Sequence, residues 1–325
     1  MADQNTIPFP ITVALMHEDR FGVKILRDSM EKLFSVSQIR LGRGDVVLIK
    51  PNLLRSHALT CTPPDIVVCL AKILLDLGCR VKISDSPGFG LAHAVAYETG
   101  LLNELAKLDL DLVPMNRSQW ISVSLTERSV KIPVSRTALE VDKIISVPRL
   151  KAHSQMRLTA AVKNLYGTIP GIHKAILHTL YGKDRDVFAD LIGALYELLP
   201  PCAAICDARI AMHITGPSGG KPYPLGLLAA SDSAVALDES ILEILHCDIS
   251  RSPLALALER RQAYGCKSLG YERVYPLEKP DDFSSKDFIL PEHLLTASFA
   301  PHRLMVSICR RMYAAVKSRF QFSSH

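Results

Sequence analysis

Short apolar runs alternate with longer stretches of helical periodicity in the first third of the chain. Residues 11–16, 45–49 and 80–84 fit strands, because short runs rich in β-branched residues and bounded by polar or turn residues are typical of strands. Residues 21–34 have the spacing of an amphipathic helix, and a second helix is predicted after the loop that ends at Pro64 and extends through residue 77. This alternation predicts an α/β fold with a largely parallel sheet flanked by helices.

The regular alternation of strands and helices is interrupted in the middle of the chain. Residues 101–140 predict a helix, a strand near 112–115 and two further β-rich stretches at 120–125 and 130–134. We therefore expect two sub-domains with a cleft between them, divided near residues 100–142. Regular alternation then returns, and it predicts strands at 143–147, 203–212 and 225–230 and helices at 184–199 and 234–246.

The segment after the strand 143–147 carries most of the candidate chemistry. Pro148 ends the strand, and Ser154 suits the N-cap of a helix. In that helix Leu158, Val162 and Leu165 would form a buried stripe. Another side of the helix would carry Gln155, Thr159, Lys163 and Tyr166. The alternative is that this side is only the solvated face of an amphipathic helix.

Basic side chains are concentrated around the same segment. They include Lys151, His153, Lys163, His173, Lys174 and His178. No acidic residue lies between Asp142 and Asp184 to neutralise them. Because lysines, protonated imidazoles and helix N-termini all stabilise negative charge, the segment predicts an anion-binding site.

Polar residues and glycines also follow the other predicted strands. They are Lys50, Asn52, Asp85 and Ser86, and later Gly216 and Gly219 in a glycine-rich stretch. Since ligands gather beyond the carboxyl ends of parallel strands, we expect these positions to line one cleft together with Lys151. For the glycine-rich stretch, a plain wide turn is the alternative.

Composition narrows the class of protein. The 325 residues are 48% hydrophobic and 22% charged, which excludes wholesale disorder. The net charge of +5 is mild, and nucleic-acid binding is not expected because the chain has one tryptophan and no recognised motif. The N-terminal segment does not fit a signal peptide, and no run is long enough to span a membrane, so we expect a cytoplasmic protein.

The eight cysteines include no C-x2-C pair, so neither a zinc ribbon nor an iron-sulfur cluster site is predicted. A metal could be held by carboxylates together with histidines, the candidates being His153, His173, His178 and His213. No spacing requires such a site, and we assign no metal ligand.

Residues 293–325 predict a basic, helical tail. From Arg303 to Phe322 the chain carries five basic residues and no acid: Arg303, Arg310, Arg311, Lys317 and Arg319. This stretch would suit an acidic protein or an anionic membrane surface. A terminal helix docked on its own domain is the alternative.

Several motifs occur in a fixed order. They are Lys50-Pro51-Asn52, Asp85-Ser86-Pro87-Gly88, Pro148 to His153, Thr159 with Lys163 to Gly167, Pro170-Gly171 with Lys174 and His178, Asp207, Gly216-Pro217 with Gly219, and Ala234 to Asp238. In this order they resemble the uncharacterised family called domain of unknown function 362 (DUF362), over residues 45–292. The resemblance implies one family domain at residues 1–292, with a shared pocket, followed by the tail.

Many members of that family carry a ferredoxin-like extension that binds iron-sulfur clusters. This chain has one cysteine after Pro291, Cys309, so we do not expect a cluster. The identity of any cofactor is left open by the sequence.

We expect an enzyme that acts on a small anionic substrate by proton transfer or reduction. The candidate catalytic residues are Lys151, His153, Lys163 and His178, because histidine and lysine of lowered pKa exchange protons near neutral pH. The candidate substrate-binding residues are Lys50, Asn52, Asp85, Ser86, Thr159, Asn164, Lys174, Gly216 and Gly219. Reduction, which the family's extension suggests, would need a separate electron donor or a bound cofactor. The alternative is a non-catalytic protein that binds or carries an anion or a metal.

Overall fold

The computed structural model describes residues 9–88, 90–263 and 271–296. Its strands are β1 (Phe9–His17), β2 (Val46–Pro51), β3 (Arg80–Ile83), β4 (Ser118–Ser124), β5 (Ser129–Ser135), β6 (Lys143–Val147), β7 (Arg149–His153), β8 (Arg157–Thr159), β9 (Cys202–His213), β10 (Lys221–Tyr223), β11 (Leu227–Ser231) and β12 (Tyr271–Val274). Its α-helices are α1 (Val23–Val36), α2 (Pro64–Asp76), α3 (Ala92–Glu98), α4 (Leu101–Ala106), α5 (Arg136–Leu139), α6 (Ala161–Asn164), α7 (His173–Tyr181), α8 (Arg185–Leu198), α9 (Ala234–Ile244) and α10 (Pro253–Ala263). Single 3-10 turns occupy Leu165–Thr168, Ile249–Arg251 and Pro280–Asp282.

One large sheet organises the described residues. Its strand order is β12-β1-β11-β9-β6-β2-β3, with β10 and β7 attached to β9 and β8 attached to β7. Parallel pairings join β3, β2, β6 and β9, and β7 runs parallel to the second half of β9. Antiparallel pairings join β11 to β9 and to β1. The predicted α/β class with a largely parallel sheet flanked by helices is confirmed.

Helices cover both faces of this sheet. Successive side chains of a strand point to opposite faces, so the two faces can be followed along β2. Leu48 packs in the core beneath α8, α9 and α10, whereas Val47 and Ile49 pack in the core beneath α1 and α2. Cys202 and Cys206, four residues apart on β9, lie in the same core, as their spacing on a strand predicts. Because both faces are covered, the carboxyl edge of the sheet is where polar side chains can meet a ligand.

The hairpin β4–β5 forms a separate two-stranded sheet. It matches the β-rich stretches predicted at 120–125 and 130–134. The strand predicted near 112–115 is wrong, because Leu112 makes only an isolated bridge with Ile83 at the edge of β3. The division into two sub-domains stays a prediction.

The helix predicted from Ser154 is also wrong. The chain instead turns back after β7 and forms β8, which pairs antiparallel with β7, and α6 begins only at Ala161. The His153 side chain stabilises this turn, since its Nδ1 accepts the backbone N–H groups of Gln155 and Met156, each at 3.1 Å. The backbone N–H of Ser154 donates to Gly216 O at 2.9 Å. These bonds replace the i→i−4 bonds that a helix would have made.

Within the described residues, no helix is long and apolar enough to cross a membrane. The predicted basic helix at 303–322 lies outside the described residues.

Candidate functional site

A cleft with a volume of about 550 Å³ lies beyond the carboxyl ends of the parallel strands. Its walls come from the loops after β2 and β3, the β7–β8 hairpin, α6 with the 3-10 turn that follows it, and α7. Two remote segments complete it, at residues 217–218 and 295–296. A volume of this size is typical of a small-molecule site.

A buried ion pair lies under the floor of the cleft. Lys50 Nζ is 2.5 Å from Asp85 Oδ1, and it also donates to Pro51 O at 2.9 Å and to Asn164 Oδ1 at 3.4 Å. Asp85 Oδ2 accepts the backbone N–H of Leu53 at 2.7 Å. Burial lowers the pKa of Lys50, while the Asp85 charge acts in the opposite direction. The Lys50 side chain is fully buried, and its contacts hold Asp85 and Asn164 in position beneath the cleft.

Gly167 makes this ion pair possible. A Cβ at this position would lie 2.3 Å from Asp85 Oδ1 and 2.5 Å from Lys50 Nζ. The backbone N–H of Ser86 donates to Gly167 O at 3.2 Å, so the chain is held close to the loop after β3. The motif that ends in Gly167 therefore needs a residue without a side chain.

Lys151 lies in the wall of the cleft on β7, where it faces Thr159 across the hairpin. Its Nζ donates to Asn52 Oδ1 and to Thr60 O, both at 2.9 Å. An ammonium group has three donors, so one remains for a ligand. Burial, assisted by the nearby charge of Lys163, lowers the pKa of Lys151 to about 7. Lys151 therefore changes its charge near neutral pH.

His153 is a neutral hydrogen-bond donor. Because its Nδ1 accepts the backbone N–H groups of Gln155 and Met156, the ring proton lies on Nε2. Burial, and then the charges of Lys163 and Lys151, lower the pKa of His153 well below its usual value. The imidazole can donate from Nε2 to a carbonyl or anionic oxygen without becoming a cation.

Lys163 projects from α6 and lines the same cleft. Its ammonium makes no hydrogen bond or ion pair with any residue that the structure describes, and its Nζ lies 6.0 Å from the centroid of the Tyr166 ring. Burial lowers the pKa of Lys163 to about 8. Lys163 can therefore lose its proton more easily than an ordinary lysine near neutral pH.

Two oxygen atoms in the cleft wall also lack partners among the described residues. They are Gln155 Oε1 and Thr159 Oγ1, on side chains that are 1% and 4% exposed. The Gln155 amide is oriented by its Nε2, which donates to Gly182 O at 2.7 Å. Buried polar atoms in native proteins are nearly always paired with protein groups or ordered water, so these two atoms are open to a water molecule or to a polar group of a ligand.

Helix α7 brings Lys174 and His178 to the cleft. Lys174 Nζ donates to Ser86 O, and Ser86 Oγ accepts the backbone N–H of Gly171 at 3.0 Å. Tyr166 OH donates to Lys174 O at 2.9 Å, and burial raises the pKa of Tyr166, so the phenol stays neutral. The loop after β3 and the start of α7 are thereby held together at one side of the cleft.

The carboxylate of Asp238, on α9, holds the helix that carries Lys163. It accepts the backbone N–H groups of Ala161 at 2.6 Å and Val162 at 2.9 Å, which are left unpaired at the start of any helix. Burial raises the pKa of Asp238 to about 7. Sequence reasoning placed Asp238 on a helix but gave it no role, because its contact spans more than seventy positions.

The structure brings most of the predicted site residues into one cleft. All four predicted catalytic residues line it: Lys151, His153, Lys163 and His178. The predicted binding residues that line it are Asn52, Asp85, Ser86, Thr159, Asn164 and Lys174. Gly216 is packed against the backbone of Ala152, and neither it nor Gly219 is among the lining residues; their loop presents Pro217 and Ser218 instead. The roles of these residues toward a ligand stay predictions.

Sequence reasoning missed the apolar part of the lining, such as Leu54 and Leu295. Leu295 reaches the cleft because its backbone N–H donates to Ser154 O at 2.7 Å, far from it in sequence. An isolated leucine in a loop gives no signal of such a contact.

Within the described residues, no group of three or more His, Cys, Asp or Glu side chains is placed to hold a metal ion. Three of the histidines weighed from the sequence pack on aromatic rings, and the ring centroids of His178 and Phe188 lie 4.6 Å apart. His173 lies edge-on against Trp120, with ring centroids 5.3 Å apart, and His213 packs between Tyr223 and Phe288.

The charges of the lining favour an anion. Three lysines line the cleft, and the carboxylate of Asp85 in the same lining is already paired with Lys50. The cleft can therefore attract negative charge, donate a hydrogen bond from His153 and exchange a proton through Lys163.

Comparisons with known proteins agree with the sequence resemblance. The sequence model of "Domain of unknown function (DUF362)" matches residues 47–243. A protein of Synechocystis sp. named "Thylakoid-associated protein" is 34% identical over 273 residues, which cover 83% of this chain and 84% of that protein. A crystal structure of a protein from Thermotoga maritima is 11% identical and covers 70% of this chain and 60% of that one, with a TM-score of 0.44.

Proposed function

This chain belongs to the DUF362 family, and we propose that it is an enzyme that binds a small anionic molecule in the cleft and moves a proton with Lys163. The observation that carries the proposal is the Lys163 ammonium, which lines the cleft and has no hydrogen-bond or ion-pair partner among the described residues. The Lys163 side chain is half-buried in the wall of the cleft, and a partly desolvated ammonium group is stabilised by a partner of opposite charge. A bound anion would supply one.

The surrounding residues support an anionic ligand. Lys151 has a third donor free of protein contacts, and His153 presents Nε2–H. Gln155 Oε1 and Thr159 Oγ1 would pair with hydroxyl or amide groups of the same molecule. The ligand class is therefore a small molecule with an anionic group and at least one further polar group.

The lowered pKa of Lys163 is compatible with proton transfer as well as with binding. A protein that only carries an anion gains most from lysines that remain fully charged. Burial instead brings the pKa of Lys163 to about 8, near the pH at which proton donors and acceptors work best in enzymes. Lys163 would take a proton from a carbon or oxygen of the substrate and return it.

Deuterium exchange tests the proposal. The full-length protein is incubated in deuterated water with a panel of small carboxylic acids that bear an acidic C–H group, and incorporation is followed by mass spectrometry. We expect exchange with at least one compound, slowed by Lys163→Met about 10²-fold to 10⁴-fold, the range of general acid-base catalysis. The exposed Lys72→Met on α2 is the matched control and should exchange as the wild type does.

Calorimetric titration of the same panel separates the two classes of function. Binding without exchange above the buffer rate would support the non-catalytic alternative and refute the enzyme. Equal exchange by wild type and folded Lys163→Met would remove Lys163 from the reaction.

A further inference from the structure

We infer that Lys163 forms an imine with the carbonyl carbon of an anionic aldehyde or ketone bound in the cleft. This inference rests on the proposed function and narrows its substrate class to carbonyl compounds that carry a carboxylate or phosphate. It also changes the role of Lys163 from proton carrier alone to nucleophile.

The contacts of the four lysines in and under the cleft single out Lys163. Lys50 is fully buried and paired with Asp85. Lys151 donates to a side-chain amide and a backbone carbonyl, and Lys174 donates to Ser86 O. A nucleophilic amine must be free to turn its lone pair toward the carbonyl carbon, and the acceptors that hold Lys50, Lys151 and Lys174 restrict this movement. Lys163 has no such acceptor among the described residues.

The environment of Lys163 also suits an uncharged amine. The group lies in a wall with an apolar ring, Tyr166, at 6.0 Å from its Nζ, and burial lowers its pKa to about 8. Desolvation of this kind is one of the ways in which enzymes activate a lysine toward carbonyl carbon.

The other polar groups of the wall match the needs of the reaction. A carbonyl oxygen that gains negative charge needs donors, and His153 Nε2–H and the third donor of Lys151 are available. The hydroxyl of the intermediate needs acceptors, and Thr159 Oγ1 and Gln155 Oε1 are unpaired within the described residues. The remaining cationic charge of the lining would hold the carboxylate or phosphate.

The step is balanced without any redox partner. The Lys163 nitrogen attacks the carbonyl carbon and forms a C–N bond, while the carbonyl oxygen takes up a proton. The resulting carbinolamine loses this oxygen as water, which carries away the two hydrogen atoms that the neutral amine brought. A C=N bond remains between Lys163 and the substrate. Such an imine withdraws electrons and makes a neighbouring C–H more acidic, which links it to proton transfer.

Reductive trapping tests the inference. The full-length protein is mixed with pyridoxal 5′-phosphate, an aldehyde that carries a phosphate group, and then treated with sodium borohydride, which converts an imine into a stable secondary amine. We expect one phosphopyridoxyl group per chain, mapped by peptide mass spectrometry to Lys163. Pyridoxine 5′-phosphate, which lacks the aldehyde, should bind in the same cleft and reduce the labelling.

Two variants and one comparison make the result decisive. Lys163→Arg keeps a cation but cannot form an imine, so it should still bind pyridoxine 5′-phosphate and lose the label. Lys72→Met should be labelled as the wild type is. Labelling spread over several lysines, or labelling unaffected by pyridoxine 5′-phosphate, overturns the imine. Absence of label on the wild type beside Lys163-dependent deuterium exchange overturns the imine alone and leaves the proposed function standing.

Discussion

At the scale of single residues, Gly167 shows how closely the backbone approaches the charged floor of the cleft. An added Cβ would lie 2.3 Å from Asp85 Oδ1 and 2.5 Å from Lys50 Nζ, and both side chains are buried and cannot move aside freely. Any residue larger than glycine must therefore displace one partner of the ion pair.

Gly167→Ala should lower the free energy of unfolding by about 2–4 kcal/mol, because overpacking and loss of a buried ion-pair partner are both costly. Gly42→Ala is the matched control, since its Cβ would lie 3.3 Å from the Asp45 carboxylate at an exposed site. Its effect should stay within about 0.5 kcal/mol. Urea unfolding of both variants measures the difference. Equal effects would mean that the floor adapts without strain.

The residue types of the site could be predicted from the sequence, but their chemical states could not. Lys151, Lys163 and Asn164 stand in motifs that marked them as polar and functional. The neutral state of His153 depends on two backbone N–H groups that meet its Nδ1 only because the chain turns there. Likewise, the position of Lys50 after a strand predicts a binding residue. The sequence does not show that Lys50 forms an ion pair with Asp85 beneath the cleft.

At the scale of elements, the regular α/β alternation was predicted correctly and the segment that carries Lys163 was not. Leu158, Val162 and Leu165 have helical spacing and are all buried, but only Val162 lies within an α-helix. The predicted burial of these side chains is confirmed, but the predicted helical backbone is wrong. Hydrogen bonds to β7, β9 and the loop at Gly216 make the chain form the β7–β8 hairpin instead. Local periodicity does not contain these distant partners.

Helix α6 has four residues and depends on α9 for its position. Asp238→Ala would leave the backbone N–H groups of Ala161 and Val162 without their acceptor, at a cost of about 1–3 kcal/mol in unfolding free energy. The loss of position at Lys163 should weaken anion binding as well. The exposed Asp28→Ala on α1 is the control and should change neither quantity.

The effect of Asp238→Ala should depend on pH. Burial raises the pKa of Asp238 to about 7, so the folded chain keeps a proton that the unfolded chain releases near pH 4. The stability contributed by this group is full at low pH and is lost as the pH rises to about 7. The difference in unfolding free energy between wild type and variant should therefore be larger at pH 5 than at pH 8, measured by urea unfolding. A difference that grows with pH would show that the carboxylate is favoured in the fold.

At the scale of the whole molecule, the sheet places the loops after β2 and β3 and the β7–β8 hairpin at one edge. The sequence was sufficient to predict this convergence, because parallel strands share the direction of their carboxyl ends. It was not sufficient to predict that residues 217–218 and 295–296 would close the same cleft. As a result, basic side chains from distant parts of the chain line the same cleft, and the charge of one lowers the pKa of another.

Because Lys151 and Lys163 line the same cleft, the affinity of the cleft for an anion should depend on pH. Burial brings the pKa of Lys151 to about 7 and that of Lys163 to about 8, so both ammonium groups lose their protons between pH 6.5 and pH 9. A bound anion stabilises the charged forms and raises both pKa values, so binding near pH 8 must take up protons. Sulfate is a suitable probe, because its own charge does not change over this range.

We expect the affinity of the full-length protein for sulfate to fall by roughly a hundredfold to a thousandfold from pH 6.5 to pH 9, since two ammonium groups are lost and each removes a charge-assisted hydrogen bond worth about 1.5–3 kcal/mol. Isothermal titration calorimetry at pH 8, in two buffers of different ionisation enthalpy, measures the proton uptake directly. Lys163→Met should bind sulfate more weakly at pH 6.5 and lose the part of the pH dependence centred near pH 8, whereas Lys72→Met should follow the wild type. A sulfate affinity that is constant from pH 6.5 to pH 9, with no proton uptake, would show that neither Lys151 nor Lys163 meets the anion.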